Sequence, residues 1–312
     1  MSQEFSHITV MLHEAVDALV TDPDGFYIDG TFGRGGHSSL ILTRLSDKGR
    51  LLAIDKDPAA IQEAERRFGD DERFSIEHGA FSDIHAFVAQ RDWFGKVNGV
   101  LLDLGVSSPQ LDDPSRGFSF QYDGPLDMRM NTSAGESAAE WINRASESDI
   151  ADVLFHYGEE RFSRRMAKAI VAARQQSPIV TTARLASIIT DANPRWEKGK
   201  NPATRAFQGI RIHINGELTE VETCLEQSLE LLAPLGRLVV ISFHSLEDRI
   251  VKRFIRKHVK GDEHLPQGIP FTQAMLNQRL RSIGKAVKAS SKEVAANPRS
   301  RSAVMRVAEK CE

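Results

Sequence analysis

Four glycines fall within seven residues in Asp29-Gly30-Thr31-Phe32-Gly33-Arg34-Gly35-Gly36-His37, between a short apolar run and a stretch of helical period. A simple turn needs fewer. Glycines at a strand-to-helix junction let the backbone turn tightly and let a ligand approach the amides at the helix start. The surroundings agree: apolar runs at 26–29, 51–55, 74–77 and 100–103 alternate with helix-period stretches at 37–45, 58–68 and 83–91. That alternation predicts βαβ units and a doubly wound parallel sheet of the Rossmann-like α/β class. The loop is not the dinucleotide fingerprint, because Gly36, His37 and Ser38 follow Gly33-Arg34-Gly35 where a third glycine would be needed. No Gly-Lys-Ser/Thr marks a P-loop.

Three of the four runs end in aspartate, at the strand ends where open α/β sheets bind ligands. Asp55, twenty residues after Gly35, is placed to accept hydrogen bonds from both ribose hydroxyls of an adenosine, while Asp57 is better placed to cap the helix at 58–68. Phe81 serves either as a lid on an adenine or as a core residue. Asp29 and Asp103 together favour a cationic ligand, such as a sulfonium with an ammonium, over an anionic pyrophosphate. Asp103-Leu104-Gly105-Val106-Ser107-Ser108-Pro109-Gln110 then occupies the strand end where substrate-handling residues belong, and His244 takes the same edge after a strand at 237–243.

The alternation stops after Asp103. Residues 107–131 read as a long ordered loop, and helices follow, one opened by the capping box Ser137 and Glu140. The α/β pattern resumes with a helix whose face is Leu218, Val221, Leu225, Leu229 and Leu232, the strand at 237–243, a basic helix at 246–258 and a last strand at 302–308. In a chain of 312 residues this predicts one discontinuous α/β domain, 1–113 with 211–312, interrupted by a helical domain, 114–210.

Charge is segregated. Residues 237–312 hold sixteen Lys and Arg against seven Asp and Glu, and 161–216 hold eleven against two, in a chain whose net charge is −3. This is the footprint of a polyanion binder, and it singles out Lys198, Lys200, Arg205 and Arg211. Two cysteines, Cys224 and Cys311, exclude a disulfide framework, and ten histidines without an HExxH pattern give no metal centre. No apolar run approaches a membrane span or a signal peptide, so a cytoplasmic location is expected.

The loop at 29–37, the stretches 102–112 and 117–130, the run 202–218 with Arg205 and Arg211, and 241–254 resemble the bacterial 16S rRNA cytosine-N4 methyltransferases, the MraW or RsmH family, over essentially the whole chain. The resemblance implies a class I methyltransferase sheet with an inserted substrate-recognition domain. It implies S-adenosyl-L-methionine as methyl donor and 16S rRNA, within the small ribosomal subunit, as partner, and leaves a homodimer open. Cofactor contacts would be Asp29, Gly33, Gly35, Gly36, His37, Asp55, Phe81, Asp103 and Gln110. Asp103, Ser107 and Ser108 would act at the transfer site, and Lys198, Lys200, Arg205, Arg211 and His244 would meet the RNA. One departure from amino-methyltransferases in general is the absence of Asp/Asn-Pro-Pro-Tyr after the fourth strand: Ser107-Ser108-Pro109-Gln110 supplies no aromatic ring for the base. Two rivals stand beside this reading, an NAD-dependent oxidoreductase and an RNA-binding assembly factor on an inactive methyltransferase fold.

Overall fold

The computed structural model describes residues 8–195, 201–261 and 277–312. The chain divides into two compact units, Met1–Gly105 with Leu218–Glu312, and Val106–Glu217. The first is built on an eight-stranded sheet: β1 (Phe26–Asp29), β2 (Arg50–Asp55), β3 (Phe74–His78), β4 (Val97–Asp103), β5 (Leu232–Ser242), β6 (Leu280–Ser282), β7 (Val287–Lys288) and β8 (Val304–Lys310). The order is β3-β2-β1-β4-β5-β8-β6, with β7 also paired to β8. β1 to β5 are parallel, and β8 turns antiparallel against β5.

The order reverses beside β1, so β1 and β4 are central neighbours, and the register sets Asp29 against Leu101 and Asp103 against Ile241. The crevice outside the carboxyl ends of such neighbours is where this kind of sheet binds ligands. Alternation of side chains covers both faces. Leu52, Val100, Leu102 and Val240 point to one core with Val221, Leu225 and Leu229 of the Glu217–Leu231 helix. Leu51, Leu101, Val239 and Ile241 point to another with Val16 and Leu19 of the Leu12–Leu19 helix.

The second unit is helical: Ser108–Asp112, Ala138–Arg144, Glu147–His156, Ser163–Gln176, Thr182–Ala192 and Ala203–Asn215. Its core holds Trp141, Ile150, Leu154, Ile170, Leu185 and Ile210. Ser137 and Glu140 cap each other's backbone as their spacing predicts. The unit starts at Val106 and ends at Glu217, against the expected 114 and 210, because the Ala203–Asn215 helix packs Ala206, Phe207 and Ile210 into the helical core. The stretch 107–131 is a loop only in part. It opens with the Ser108–Asp112 helix and a 3-10 turn at Pro114–Arg116, and the Arg116 guanidinium then ties it down by donating to the carbonyls of Arg129 and Met130. Among the described residues no helix is long and apolar enough to cross a membrane.

Candidate active site

The loop after β1 is pinned from three sides. Gly30 N–H donates to the Leu101 carbonyl at 2.9 Å, Phe32 N–H to the Ile54 carbonyl at 3.1 Å, and Gly33 N–H to Asp55 Oδ2 at 2.7 Å. Gly35, at φ 71°, precedes the Gly36–Arg44 helix, and a Cβ on it would stand 2.6 Å from the buried Phe32 ring. A Cβ on Gly30 would meet Leu102 at 2.6 Å and Phe81 at 3.3 Å. The glycines are therefore required by left-handed backbone at one position and close approach at the other.

Asp29 is 1% exposed and turned into this loop: Ser38 Oγ donates to it at 2.7 Å and Thr31 N–H at 3.2 Å. Burial holds its carboxyl above the usual range. It shapes the cradle. Asp55, at the end of β2, takes Gly33 N–H on one oxygen and Asp57 N–H, at 2.8 Å, on the other, and burial pushes its carboxyl up to about 6. Asp57 caps the Pro58–Phe68 helix by accepting from Ala59 N–H, as its position in the sequence predicts. Phe81 opens a short 3-10 turn after β3 and is half-buried beside Gly30.

Asp103 ends β4 with its backbone N–H donated to Thr31 Oγ1 at 2.7 Å, and its Oδ2 lies 3.6 Å from Nδ1 of the buried His37. Burial, with the Asp29 and Glu247 carboxylates nearby, holds its carboxyl well above the ordinary range. Its Oδ1 is buried and has no hydrogen-bond partner among the described residues. An orphaned buried carboxylate oxygen wants a cation or an N–H donor, and it stands beside a glycine cradle that side chains would fill. These residues fit a cationic adenosine-type cofactor.

The first unit thus brings together Asp29, Gly33, Gly35, Gly36, His37, Asp55, Phe81 and Asp103. His244 follows β5 at the same edge and caps the Ser245–Lys260 helix, while Glu247 accepts from Phe243 N–H at 2.8 Å and His244 N–H at 3.2 Å. The other expected residues that the structure describes belong to the second unit. Ser107 precedes the Ser108–Asp112 helix, and the buried Gln110 accepts its N–H at 2.9 Å. Arg205 lies on the Ala203–Asn215 helix with Arg211, whose guanidinium makes a two-pronged pair with Glu217 at 2.8 and 2.7 Å. Lys198 and Lys200 lie outside the described residues.

Sequence reasoning missed Thr31, Ser38, Glu247 and Phe243. The Glu247 signal was present, an acid three residues after a capping position. Phe243 is half-buried, and its ring lies 3.5 Å from where a Cβ on Gly105 would stand, so the sheet edge has an aromatic residue that the 104–110 stretch lacks.

The family described as the MraW methylase family matches residues 4–311. A curated relative from Chromohalobacter salexigens, Ribosomal RNA small subunit methyltransferase H, is 60% identical over 307 residues, 98% of this chain and 92% of that protein. Among solved structures, an rRNA methylase from Streptococcus thermophilus aligns with a TM-score of 0.41 at 11% identity, over 96% of this chain and 92% of that one. A Streptococcus mutans chain solved in complex with SAH aligns at 0.40 and 12%, over 95% and 93%.

Proposed function

The chain belongs to the MraW methylase family, and from that premise we propose that it methylates N4 of one cytidine in the decoding region of 16S rRNA, using S-adenosylmethionine. The Oδ1 of Asp103, buried beside the glycine cradle and without a partner among the described residues, carries this reading. A donor with a sulfonium and an ammonium answers a buried acid, where a nicotinamide dinucleotide would bring its pyrophosphate against Asp29 and Asp103. When bound, the cofactor supplies an electrophilic methyl group. Gly35, Gly36 and His37 would hold it at the helix start, Asp55 would accept from its ribose hydroxyls, and Phe81 would lie along its adenine.

Cytosine N4 is a weak nucleophile because its lone pair is conjugated into the ring. Asp103, or a carbonyl of the 104–108 loop, accepts an N–H of the amine and helps it pyramidalise, and the ionised carboxylate steadies the positive charge that develops there. Ser107 and Ser108 offer hydroxyls to the substrate, and positioning supplies most of the acceleration. The base must leave its stack to enter a pocket. His244, Arg205, Arg211, Lys198 and Lys200 are proposed to hold the RNA while it does.

The test is to offer labelled S-adenosylmethionine with naked 16S rRNA, and with small subunits from cells lacking this protein, then map the label. Label on the exocyclic amine of one cytidine is expected. Label at C5, or cofactor binding with no transfer to either RNA, would overturn the reading.

A further inference from the structure

The Ser245–Lys260 helix buries Val251, Phe254 and Ile255 and leaves Lys252, Arg253 and Arg256 exposed. Nearby, the chain pairs with β8 in two short pieces, β6 and β7; Ile283 N–H still donates to the Val307 carbonyl at 3.0 Å, and residues 284–286 then leave the ladder. The interruption opens a cleft of about 360 Å³. Ile255, Val259 and Ile283 give it apolar walls, and Lys252, Arg256 and Lys285 stand around it.

Those three cations have no ion pair or side-chain hydrogen bond among the described residues, and the reason is visible in their neighbours. Carboxylates on the adjoining elements are already taken: Asp248 by Arg306 at 2.7 Å, Glu309 by Arg237 at 2.7 Å and by Arg281, and Glu226 by Lys257 at 2.9 Å. Among the described residues no acid lines this cleft, and its lining is positive.

We propose that the cleft holds the phosphodiester backbone of the RNA substrate, at a docking site separate from the transfer site. The inference rests on the RNA reading above and gives it a location. Lys252 and Arg256 are one helical turn apart, about 5–6 Å between Cβ atoms, so they meet successive phosphates of one strand, with Lys285 facing them from the turn. Arg256 adds a fork suited to paired phosphate oxygens. The apolar walls of Ile255, Val259 and Ile283 can lie against the C–H edges of the sugars between those phosphates. A free nucleotide fits less well, because nothing here resembles the glycine cradle or the acid that would take ribose hydroxyls. Counting strands from β1 through β4, β5 and β8 at about 4.8 Å each sets the cleft roughly 15–20 Å from the glycine loop. That is beyond the screening length of about 8–10 Å at physiological salt.

The experiment compares the parent with Lys252→Gln, Arg256→Gln and Lys285→Gln combined, and with a charge-preserving Lys252→Arg, Arg256→Lys and Lys285→Arg counterpart. The probe is a labelled single-stranded oligonucleotide copied from 16S rRNA, titrated at several salt concentrations. All three side chains are exposed, so unfolding midpoints should match. The neutral variant should lose about 2–3 from the slope of log affinity against log salt, at roughly 0.7–0.9 per contact. Its KM for rRNA should rise with kcat and S-adenosylmethionine affinity unchanged, and the charge-preserving variant should keep the parent's salt slope. An unchanged slope and KM would overturn the proposal. So would binding of cytidine monophosphate to the parent that the neutral variant loses, marking a mononucleotide site in the cleft, or a loss of polyglutamate binding with RNA binding intact, marking an acidic protein partner. Failure of the parent itself to methylate rRNA would count against the proposed function, whereas normal transfer with an unchanged slope would count against the cleft alone.

Discussion

At the carboxyl ends of β1 and β2 the strand-end residues are acids held by backbone amides, Asp29 buried and Asp55 half-buried, whereas beside β6, β7 and β8 the charged groups include exposed cations that nothing in the described chain neutralises. Both regions belong to one sheet. Asp29 and Asp55 have lost their side-chain freedom before any ligand arrives, so they suit one small ligand of fixed shape. Lys252, Arg256 and Lys285 keep theirs, and long solvated side chains suit a flexible polyanion whose binding is governed by salt. Rigidity goes where a reacting atom must be placed to a fraction of an ångström, and mobility where only charge must match.

The largest test of that contrast is Asp103→Asn, which keeps size and removes charge. If the carboxylate steadies the developing positive charge, kcat should fall by about 10²–10³ with RNA binding and its salt slope untouched. The parent's rate should climb with pH through the raised titration of this group, because only the ionised form steadies the positive charge developing on the amine, and the Asn variant should lose that limb. Single-turnover rates against pH check both. A variant as fast as the parent would move the acceptor to a backbone carbonyl of the 104–108 loop.

Gly35→Ala asks whether the acidic edge is as rigid as its hydrogen bonds imply. The new Cβ would combine left-handed backbone with a 2.6 Å approach to a Phe32 ring that is 3% exposed. Together these should cost about 2–4 kcal/mol of stability, read from the urea midpoint, and cofactor affinity should fall with it. Unaltered stability would mean that the loop yields, and the contrast with the basic edge would weaken.

Asp55→Ala should weaken S-adenosylmethionine binding by tenfold or more, since each charge-assisted hydrogen bond to ribose contributes about 1.5–3 kcal/mol. Sign and pH follow from a carboxyl pushed up to about 6. Affinity should be level above that pH and decline below it as the acid takes its proton, and the Ala variant should show no such decline. Calorimetry across that range is the measurement. An unchanged dissociation constant would leave Asp55 as a prop for Gly33 and Asp57 alone.

Much of the acidic edge was legible because its signals are local. β1 spans 26–29 as the apolar run indicates, Asp57 caps the helix it precedes, and the glycines mark the turn they make. Leu12, Val16 and Leu19 also carry a helical period, and they form one face of the Leu12–Leu19 helix. What could not be read is whatever depends on distant pairing. Glu247 reaches the electrostatics of Asp103 only because β5 lies against β4, and β6 exists only through its register with β8, Ser282 against Ala308. The basic stretch at 237–312 was visible as charge. Its cleft was not, because three-residue and two-residue strands carry no periodicity of their own.

The smallest expected effect concerns the two cysteines, and it guards the division of labour between the edges. Cys224 is fully buried among Val221, Leu225 and Leu229 on the helix packed beneath the sheet, and burial pushes its thiol up to about 12, so almost no thiolate exists at neutral pH. Cys311 lies just past β8, where its backbone N–H donates to the Arg279 carbonyl. Neither stands at the carboxyl ends of β1, β2 and β4. Direct transfer to an amine needs no thiol, whereas methylation at C5 proceeds through a covalent cysteine adduct. Cys224→Ala with Cys311→Ala should therefore leave kcat within about twofold, or about 0.4 kcal/mol in barrier. The lost buried sulfur should lower stability by roughly 0.5–1.5 kcal/mol, on the scale of removing one core methyl group. A collapse of transfer in a variant that still folds and binds S-adenosylmethionine would bring a covalent route back, and would place chemistry in the core or at the basic edge, where nothing but packing and RNA docking is expected.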